Sequence, residues 1–563
     1  MKFKNTIWFV ALLTIGSFID PASAVLVNDD DPPTVILISV DGLRADYLNS
    51  VDTPTLLQIA EQGIHADYLE PIFPSKTFPN HYSIITGLYP ANHGIVSNSI
   101  YDPEIGLFRL SDREMIAKSE WWGGEPLWVT VQKQGRTSAT YFWPGSDTDS
   151  IQGMQPTYSM KYDDDLPHPV RIDSVMAAVK RTPRPALITT YFSIVDTQGH
   201  RSGPHSNETR EALREVDSQI ANLVSRLRDE GIYEELNLVV LGDHGMAKTS
   251  KDQVEFVDDY ISMDDVFRVG GLDALGFFNL KDPAQEDSLL NRLNEMEYVD
   301  WYTPENLPKK WHYFGNDRIP DIIGLAQEGW LMSTRALYDR NPDYYSGGTH
   351  GYDPGLPSMH AAFVARGPQF RENLNVEGFS LIHVYELLCA ALNLEPAQND
   401  GDLDQVIHLL RTKADPEDVD SPDAIIQALY DIISTPAGEA VNWKRWHTLF
   451  IPEARLIALG TNDAGEDGYS EWTPDEFREV TQDYFESNPF FEVEISQTSE
   501  QFGNMIHRFS TYASYRSLDD PPFQRGINSI QLLHMDNRWW IVTIYWQPEN
   551  DRFPLPLKYL LEE

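Results

Sequence analysis

The chain has 563 residues, 43 Lys+Arg against 86 Asp+Glu, one cysteine, and a formal charge of −43. That length exceeds what one hydrophobic core usually supports, so more than one domain is expected, and 41% hydrophobic content excludes wholesale disorder. The single Cys389 excludes an internal disulfide framework and a thiolate metal cluster, and the acidity excludes a general nucleic-acid-binding surface.

Residues 1–24 have the pattern of a secretory signal. Lys2 and Lys4 form a positive end, Ile7 to Phe18 is apolar, and Ala22-Ser23-Ala24 is a small-x-small cleavage site. The expected product starts after Ala24, with no membrane span, and is periplasmic or secreted. Residues 34–41 (TVILISVD) then form an apolar run ending in Asp41, followed by a helical pattern from Pro54 to Gln62. Residues 186–196 (ALITTYFSIVD) repeat the design, with a helical pattern over about 208–228. Residues 237–243 (NLVVLGD) repeat it again; 359–365 is a further strand and 380–392 a further helix. Apolar runs alternating with helices predict an α/β fold whose largely parallel sheet is covered on both faces. An acidic, proline-marked linker at 412–420 would separate residues 25–411 from an α+β domain at 421–563.

In open α/β sheets, functional groups gather at the carboxyl ends of strands. Three apolar runs end in aspartate: Asp41, Asp196 and Asp243. His200 follows in DTQGH, His244 in GDHG, and His350 lies in GGTHGYD. These oxygen and nitrogen donors are the set a hydrolytic Zn²⁺ site uses, and six of them suit two metals. In FPSKTFPNHYSIITG, Thr77 precedes a helical run, where free N–H groups favour an anion. Its hydroxyl is a candidate nucleophile if a metal lowers its pKa. Lys76 beside it would offset phosphate charge or be solvated.

The segments VDGLRADYL, FPSKTFPNHYSIITGLYPANHGIVSN, WWGGEPLW, FWPGSD, DTQGHRSGP, LGDHGM and GGTHGYD, in this order, resemble the nucleotide pyrophosphatase/phosphodiesterase family of the alkaline phosphatase superfamily. The resemblance covers about residues 33–411. It implies two Zn²⁺ per chain and a phosphothreonine intermediate on Thr77. Asp196, His200 and His350 resemble the ligands of one zinc; Asp41, Asp243, His244 and Thr77 resemble those of the other. Asn98 resembles an asparagine that donates to a phosphate oxygen. Phe78 and Tyr162 match aromatics that sandwich a base in nucleotide-cleaving members, with Trp143 nearby. Gly123 stands where some nucleotide-specific members have lysine, and lysophospholipid-cleaving members share WWGG. His81, His93 and His205 read as structural.

A nucleotide-type phosphodiester is therefore the expected substrate. A lysophospholipid or other diester, a phosphomonoester, and a non-catalytic binding role are the alternatives. The C-terminal stretches FGNMIHRFSTYASYR and FQRGINSIQLLHMDNRWWIVTIYWQ resemble nuclear-transport-factor-2-like (ketosteroid-isomerase-like) domains, in which helices cap a curved sheet. That resemblance implies a possible homodimer through this domain.

Overall fold

A computed structural model of the chain describes residues 33–411, 414–461, 467–535 and 537–560. The signal segment and its cleavage site lie outside the described residues.

The sheet of the N-terminal unit is built from β1 (Thr34–Val40), β2 (Ile64–Glu70), β3 (Ser138–Tyr141), β4 (Tyr158–Met160), β5 (Leu187–Phe192), β6 (Leu236–Leu241), β7 (Ala361–Arg366), β8 (Leu374–Val376) and the short β9 (Phe379–Ser380). Its order is β8-β2-β7-β6-β1-β5-β3-β4, with β9 also on β2. β1 lies between β5 and β6 and pairs parallel with both. β7 runs antiparallel to β6 and β2, so the sheet is largely rather than wholly parallel.

Every residue of β1, β5 and β6 is buried. Alternation sorts them into two layers. Val35 and Leu37 join one core with the aromatic residues Trp121, Trp128 and Tyr385. Ile36, Ile38 and Val40 join the other, under the long helix Asn207–Asp229. That helix is capped by Ser206, whose Oγ accepts from the Thr209 amide. It buries Leu213, Val216, Ile220, Leu223, Val224 and Leu227 at helical spacing. Helix Pro54–Gln62 has the expected bounds, with proline in its first turn.

Between β6 and β7 the chain makes a feature the sequence pattern does not announce. Strands Val266–Leu272, Leu275–Leu280, Ile322–Ala326 and Val299–Tyr302 form a separate antiparallel sheet over its own core.

The C-terminal unit is β-rich. Its six-stranded sheet runs, in order, Asp467–Trp472, Phe450–Thr461, Arg538–Pro548, Gln524–Met535, Met505–Tyr515 and Phe491–Phe502. Helix Pro422–Ile433 packs Ile425, Ile426 and Leu429 into its core, and helix Pro474–Ser487 adds Phe485. The expected linker is partly structured. Pro416–Val419 is a helical turn, Val419 joins the C-terminal core, and Asp418 pairs with Arg445 at 2.7 Å. Among the described residues, no helix is long and apolar enough to cross a membrane.

Candidate active site

The site forms where β1, β5 and β6 end. Asp41 follows β1 directly, and Gly42 turns the chain with φ +69°. A side chain there would be strained, and its Cβ would sit 3.1 Å from the Asp196 backbone. Asp243 and His244 follow β6 after Gly242. Asp196 is not a strand end. β5 stops at Phe192, and helix Ile194–Ser202 carries Asp196 and His200 one turn apart on one face. His350 follows the short strand Gly347–Thr349, which pairs with Ala247–Thr249 just past His244.

These side chains converge. Asp196, His200 and His350 place ligand atoms within 4.8 Å of one another, as do Asp41, Asp196 and His244. His244 Nε2 lies 3.1 Å from Asp243 Oδ2 and 3.5 Å from Asp41 Oδ1. His200 Nε2 and His350 Nε2 lie 3.4 and 3.7 Å from Asp196 Oδ1.

The protons of the three imidazoles are committed elsewhere. The Nδ1 atoms of His200, His244 and His350 face the carbonyls of Gly348, Gly245 and Ser75 at 2.9, 2.9 and 2.7 Å. Carbonyls only accept, so each Nδ1 donates and each ring turns its Nε2 toward the centre. Burial holds His244 and His350 well below the ordinary histidine range, so both are neutral. Asp41 Oδ1, Asp196 Oδ1 and Asp243 Oδ2 are buried with no hydrogen-bond partner. Burial, then mutual repulsion, raises Asp41, and burial chiefly raises Asp196 and Asp243. Imidazole lone pairs and carboxylate oxygens at 3–4 Å repel unless protons or a cation sit among them, and His81 Nδ1, 3.2 Å from Asp243 Oδ2, reaches only one of these oxygens. The donor set therefore fits divalent metal, with Asp196 and its two histidines on one side and Asp41, Asp243 and His244 on the other.

Thr77 is the first residue of helix Thr77–Thr86, and its Oγ1 is 3.3 Å from His244 Nε2. Buried Asn80 locks the turn before it, accepting from the Ile72 amide at 2.8 Å and donating to the Pro74 carbonyl at 2.9 Å. Asn98 Oδ1 accepts from the Phe78 amide at 2.9 Å, which ties its amide group to the Thr77 turn. Lys76 is not a free cation facing a phosphate. Its Nζ is held 3.0 Å from Asp273 Oδ2 and 3.0 Å from the His350 carbonyl. It clamps the Thr77 turn to the His350 turn with its charge already paired. If Thr77 attacks the substrate, Lys76→Ala is expected to lower kcat about tenfold, more than it changes KM, because a misplaced Thr77 turn loses orientation rather than affinity; steady-state kinetics check this.

Tyr191 and His81 are further contributors. Tyr191 on β5 donates to Asp41 Oδ2 at 2.5 Å. His81 is fully buried, with Nδ1 on the Thr77 carbonyl at 2.9 Å and Nε2 on Ser39 Oγ at 2.7 Å. It supports helix Thr77–Thr86 and has no ring nitrogen left for a metal. No local sequence signal marks Tyr191; His81, four residues after Thr77, is marked only by helical spacing.

The aromatic candidates separate. Phe78 is half-buried against Trp122 and Phe108, with ring centroids 6.1 and 5.9 Å away. Tyr162 is half-buried, donates to Asp164 at 2.7 Å, and has the Arg113 guanidinium 4.8 Å from its ring. Trp143 is only 2% exposed and donates its indole N–H to the His81 carbonyl at 3.0 Å. It packs behind helix Thr77–Thr86 rather than offering a face to a ligand. Gly123 lies against His93, where a Cβ would come 3.0 Å from the His93 carbonyl. His93 itself is buried on Ser83, and His205 packs edge-on to Tyr47.

Residues 35–353 match the family described as Type I phosphodiesterase / nucleotide pyrophosphatase. The chain is 37% identical over 395 residues to mouse (Mus musculus) ectonucleotide pyrophosphatase/phosphodiesterase family member 3, covering 68% of this chain and 44% of that protein. It is 37% identical over 389 residues to venom phosphodiesterase CdcPDE of Crotalus durissus collilineatus, covering 67% and 46%. The chain thus spans somewhat under half the length of these relatives. Among solved structures, an inactive variant of murine ectonucleotide pyrophosphatase/phosphodiesterase 5 in complex with AMP superposes with a TM-score of 0.64 at 32% identity, covering 67% of this chain and 100% of that one. Together with the convergent aspartates and histidines around Thr77, these similarities place the chain in the type I phosphodiesterase / nucleotide pyrophosphatase family.

Proposed function

We propose that this protein is an exported phosphodiesterase that hydrolyses phosphodiester or pyrophosphate bonds of nucleotides through Thr77, with two Zn²⁺ as its cofactors. The observation that carries the reading is the cluster of partnerless carboxylate oxygens and lone-pair-bearing Nε2 atoms around the Thr77 hydroxyl. Lewis acidity toward a phosphate oxygen and toward that hydroxyl is what a bound metal pair supplies. Asp196, His200 and His350 would hold one ion, and Asp41, Asp243, His244 and Thr77 the other.

The chain's own residues do the rest. The N-terminus of helix Thr77–Thr86 turns its dipole toward an incoming anion, while the Phe78 N–H is already given to Asn98 and Pro79 has none to offer. Thr77 Oγ forms the new bond to phosphorus as the bond to the leaving oxygen breaks, and water later releases the phosphoryl group from threonine. The Asn98 Nδ2 group donates to a phosphate oxygen as its charge grows. Tyr191 holds Asp41, and the Lys76–Asp273 clamp fixes the nucleophile turn against His350.

Phe78 and Tyr162 would receive the base. Stacking is worth about 1–3 kcal/mol per base, so Phe78→Ala and Tyr162→Ala are each expected to raise KM for a nucleoside monophosphate ester about tenfold or more. The change in kcat should be small; unchanged KM in both would remove them from the binding site. Gly123 favours a second reading, lysophospholipid cleavage, because no cationic side chain stands there. A panel of dinucleotides, nucleoside triphosphates and lysophospholipids separates the two by kcat/KM, and nucleotides should lead.

The C-terminal sheet with the helices packed on it supports the nuclear-transport-factor-2-like reading, and a homodimer through that unit is what that resemblance implies. Light scattering of the full chain checks the dimer.

A further inference from the structure

The seam between the two units holds a cleft that the chemistry above does not use. Its volume is about 980 Å³, and it shares no lining residue with the metal centre. The N-terminal unit contributes Arg371, between β7 and β8, and His408, in the turn Ile407–Leu409. The Arg371 amide donates to the Leu409 carbonyl at 3.0 Å, which sets these two segments side by side. The C-terminal unit contributes His447 at the end of helix Trp443–His447 and Asp475 in the first turn of helix Pro474–Ser487. Half-buried Ile451 and Trp540 add apolar surface from its neighbouring strands.

The polar groups of this cleft are incompletely matched. The His447 side chain is 10% exposed, with Nδ1 3.4 Å from Asp475 Oδ1. His447 Nε2, Asp475 Oδ1 and the nearby Arg478 Nε are buried with no hydrogen-bond partner, although buried polar atoms are nearly always paired. Arg371 is half-buried, donates to the His408 carbonyl at 3.3 Å, and makes no ion pair among the described residues. Burial chiefly pushes His447 down to about 4; Asp475 opposes the fall, and Arg478, His408 and Arg371 add to it. Burial also lowers His408, where Asp475 again opposes and Arg478 and Arg371 add. Groups from both units thus act on each imidazole. The floor of the cleft gathers two guanidinium groups and two imidazoles against one carboxylate. Glu453 and Asp420 also line the cleft, but both are exposed, where water and salt screen them.

Two guanidinium groups disfavour a cation here and favour an anion. An acid group beside Arg371 gives that side chain a counter-ion and gives the His447 imidazole an acceptor at each nitrogen. The volume is that of a small-molecule site, with apolar walls and a few convergent polar groups. We propose that the seam cleft binds a small organic anion, its carboxylate or phosphate-type group on Arg371, His408 and His447 and its apolar body on Ile451 and Trp540. Because the two walls belong to different units, such a ligand also fastens the C-terminal unit to the N-terminal one.

The test is calorimetric titration of the full-length, metal-loaded protein with three probes that share one aromatic body. They are 2-naphthoate, 2-naphthylphosphonate and the neutral 2-naphthamide. One or both anions should bind at one site per chain, at least tenfold more tightly than the amide, and the tighter anion identifies the acid group. Arg371→Gln and His447→Gln should each weaken that binding about tenfold, the size of one charge-assisted hydrogen bond. Trp540→Ala should weaken it severalfold. Trp540 is half-buried, so this variant carries the test where loss of Arg371 or His447 disturbs folding. Absence of anion binding, an amide that binds as tightly as the anions, or anion binding that Arg371→Gln and Trp540→Ala leave unchanged would overturn the site. Binding is read without turnover, so its outcome is separate from that of the phosphodiesterase reading.

Discussion

Thr77→Ala is expected to lower diester turnover by roughly a thousandfold or more while leaving fold and metal content in place. The hydroxyl is a small group at the first position of its helix, and Thr77 is 9% exposed. The helix is held by other contacts: Asn80 on the preceding turn, His81 on Ser39, and Tyr82 on the Gly123 carbonyl. Removing Oγ and one methyl leaves all of these intact. The carboxylates and imidazoles also keep their positions, so metal analysis of the variant should match the unmodified protein. Thr77→Ser should recover part of the rate, because it restores the attacking oxygen. Full activity in Thr77→Ala would remove threonine from the chemistry.

Asp196→Asn is expected to have the next largest effect. Asp196 Oδ1 faces both His200 and His350, and Asp196 belongs to both groups of convergent ligands. An amide in its place brings a neutral oxygen or an N–H into the centre, and neither balances a dication. Activity and metal affinity should fall together, by more than the roughly 10–100-fold that losing an outer-sphere partner costs. Chelation of the unmodified protein should mimic the variant. It should also lower Tm, because the buried carboxylates then face one another without a cation. Adding the divalent ion back should restore both rate and Tm in the unmodified protein, but not in Asp196→Asn.

The central sheet was legible because its strands are buried on both faces and spelled in unbroken apolar runs. Val35 to Val40 reads as a strand from composition alone, and the helix after it announces itself with proline and regular spacing. Asp196 and His200 were legible as candidate ligands but not as helical residues. TTYFSIVD reads as one long strand, and only the four-residue step from Asp196 to His200 marks the turn into helix. The insertion sheet was not legible. Its strands mix exposed and buried positions, and the Val266–Leu272 strand has register shifts that break its alternation. The edge strand Phe491–Phe502 was hidden for a similar reason, since its outer half is polar and exposed. Pairings distant in sequence left no trace at all. Lys76 meets Asp273 across 197 positions, and Tyr191 meets Asp41 across 150. Charge alone therefore offered Lys76 to a phosphate, while the fold had already given it a carboxylate.

The proposed threonine nucleophile beside a metal centre, with aromatic side chains for the rest of the substrate, would take a diester as its natural load. The most direct measurement is the ratio of kcat/KM for bis(p-nitrophenyl) phosphate to that for p-nitrophenyl phosphate, with and without chelator. The diester should be cleaved faster, and chelation should abolish its cleavage. Faster turnover of the monoester, or diester turnover untouched by chelation, would contradict the account.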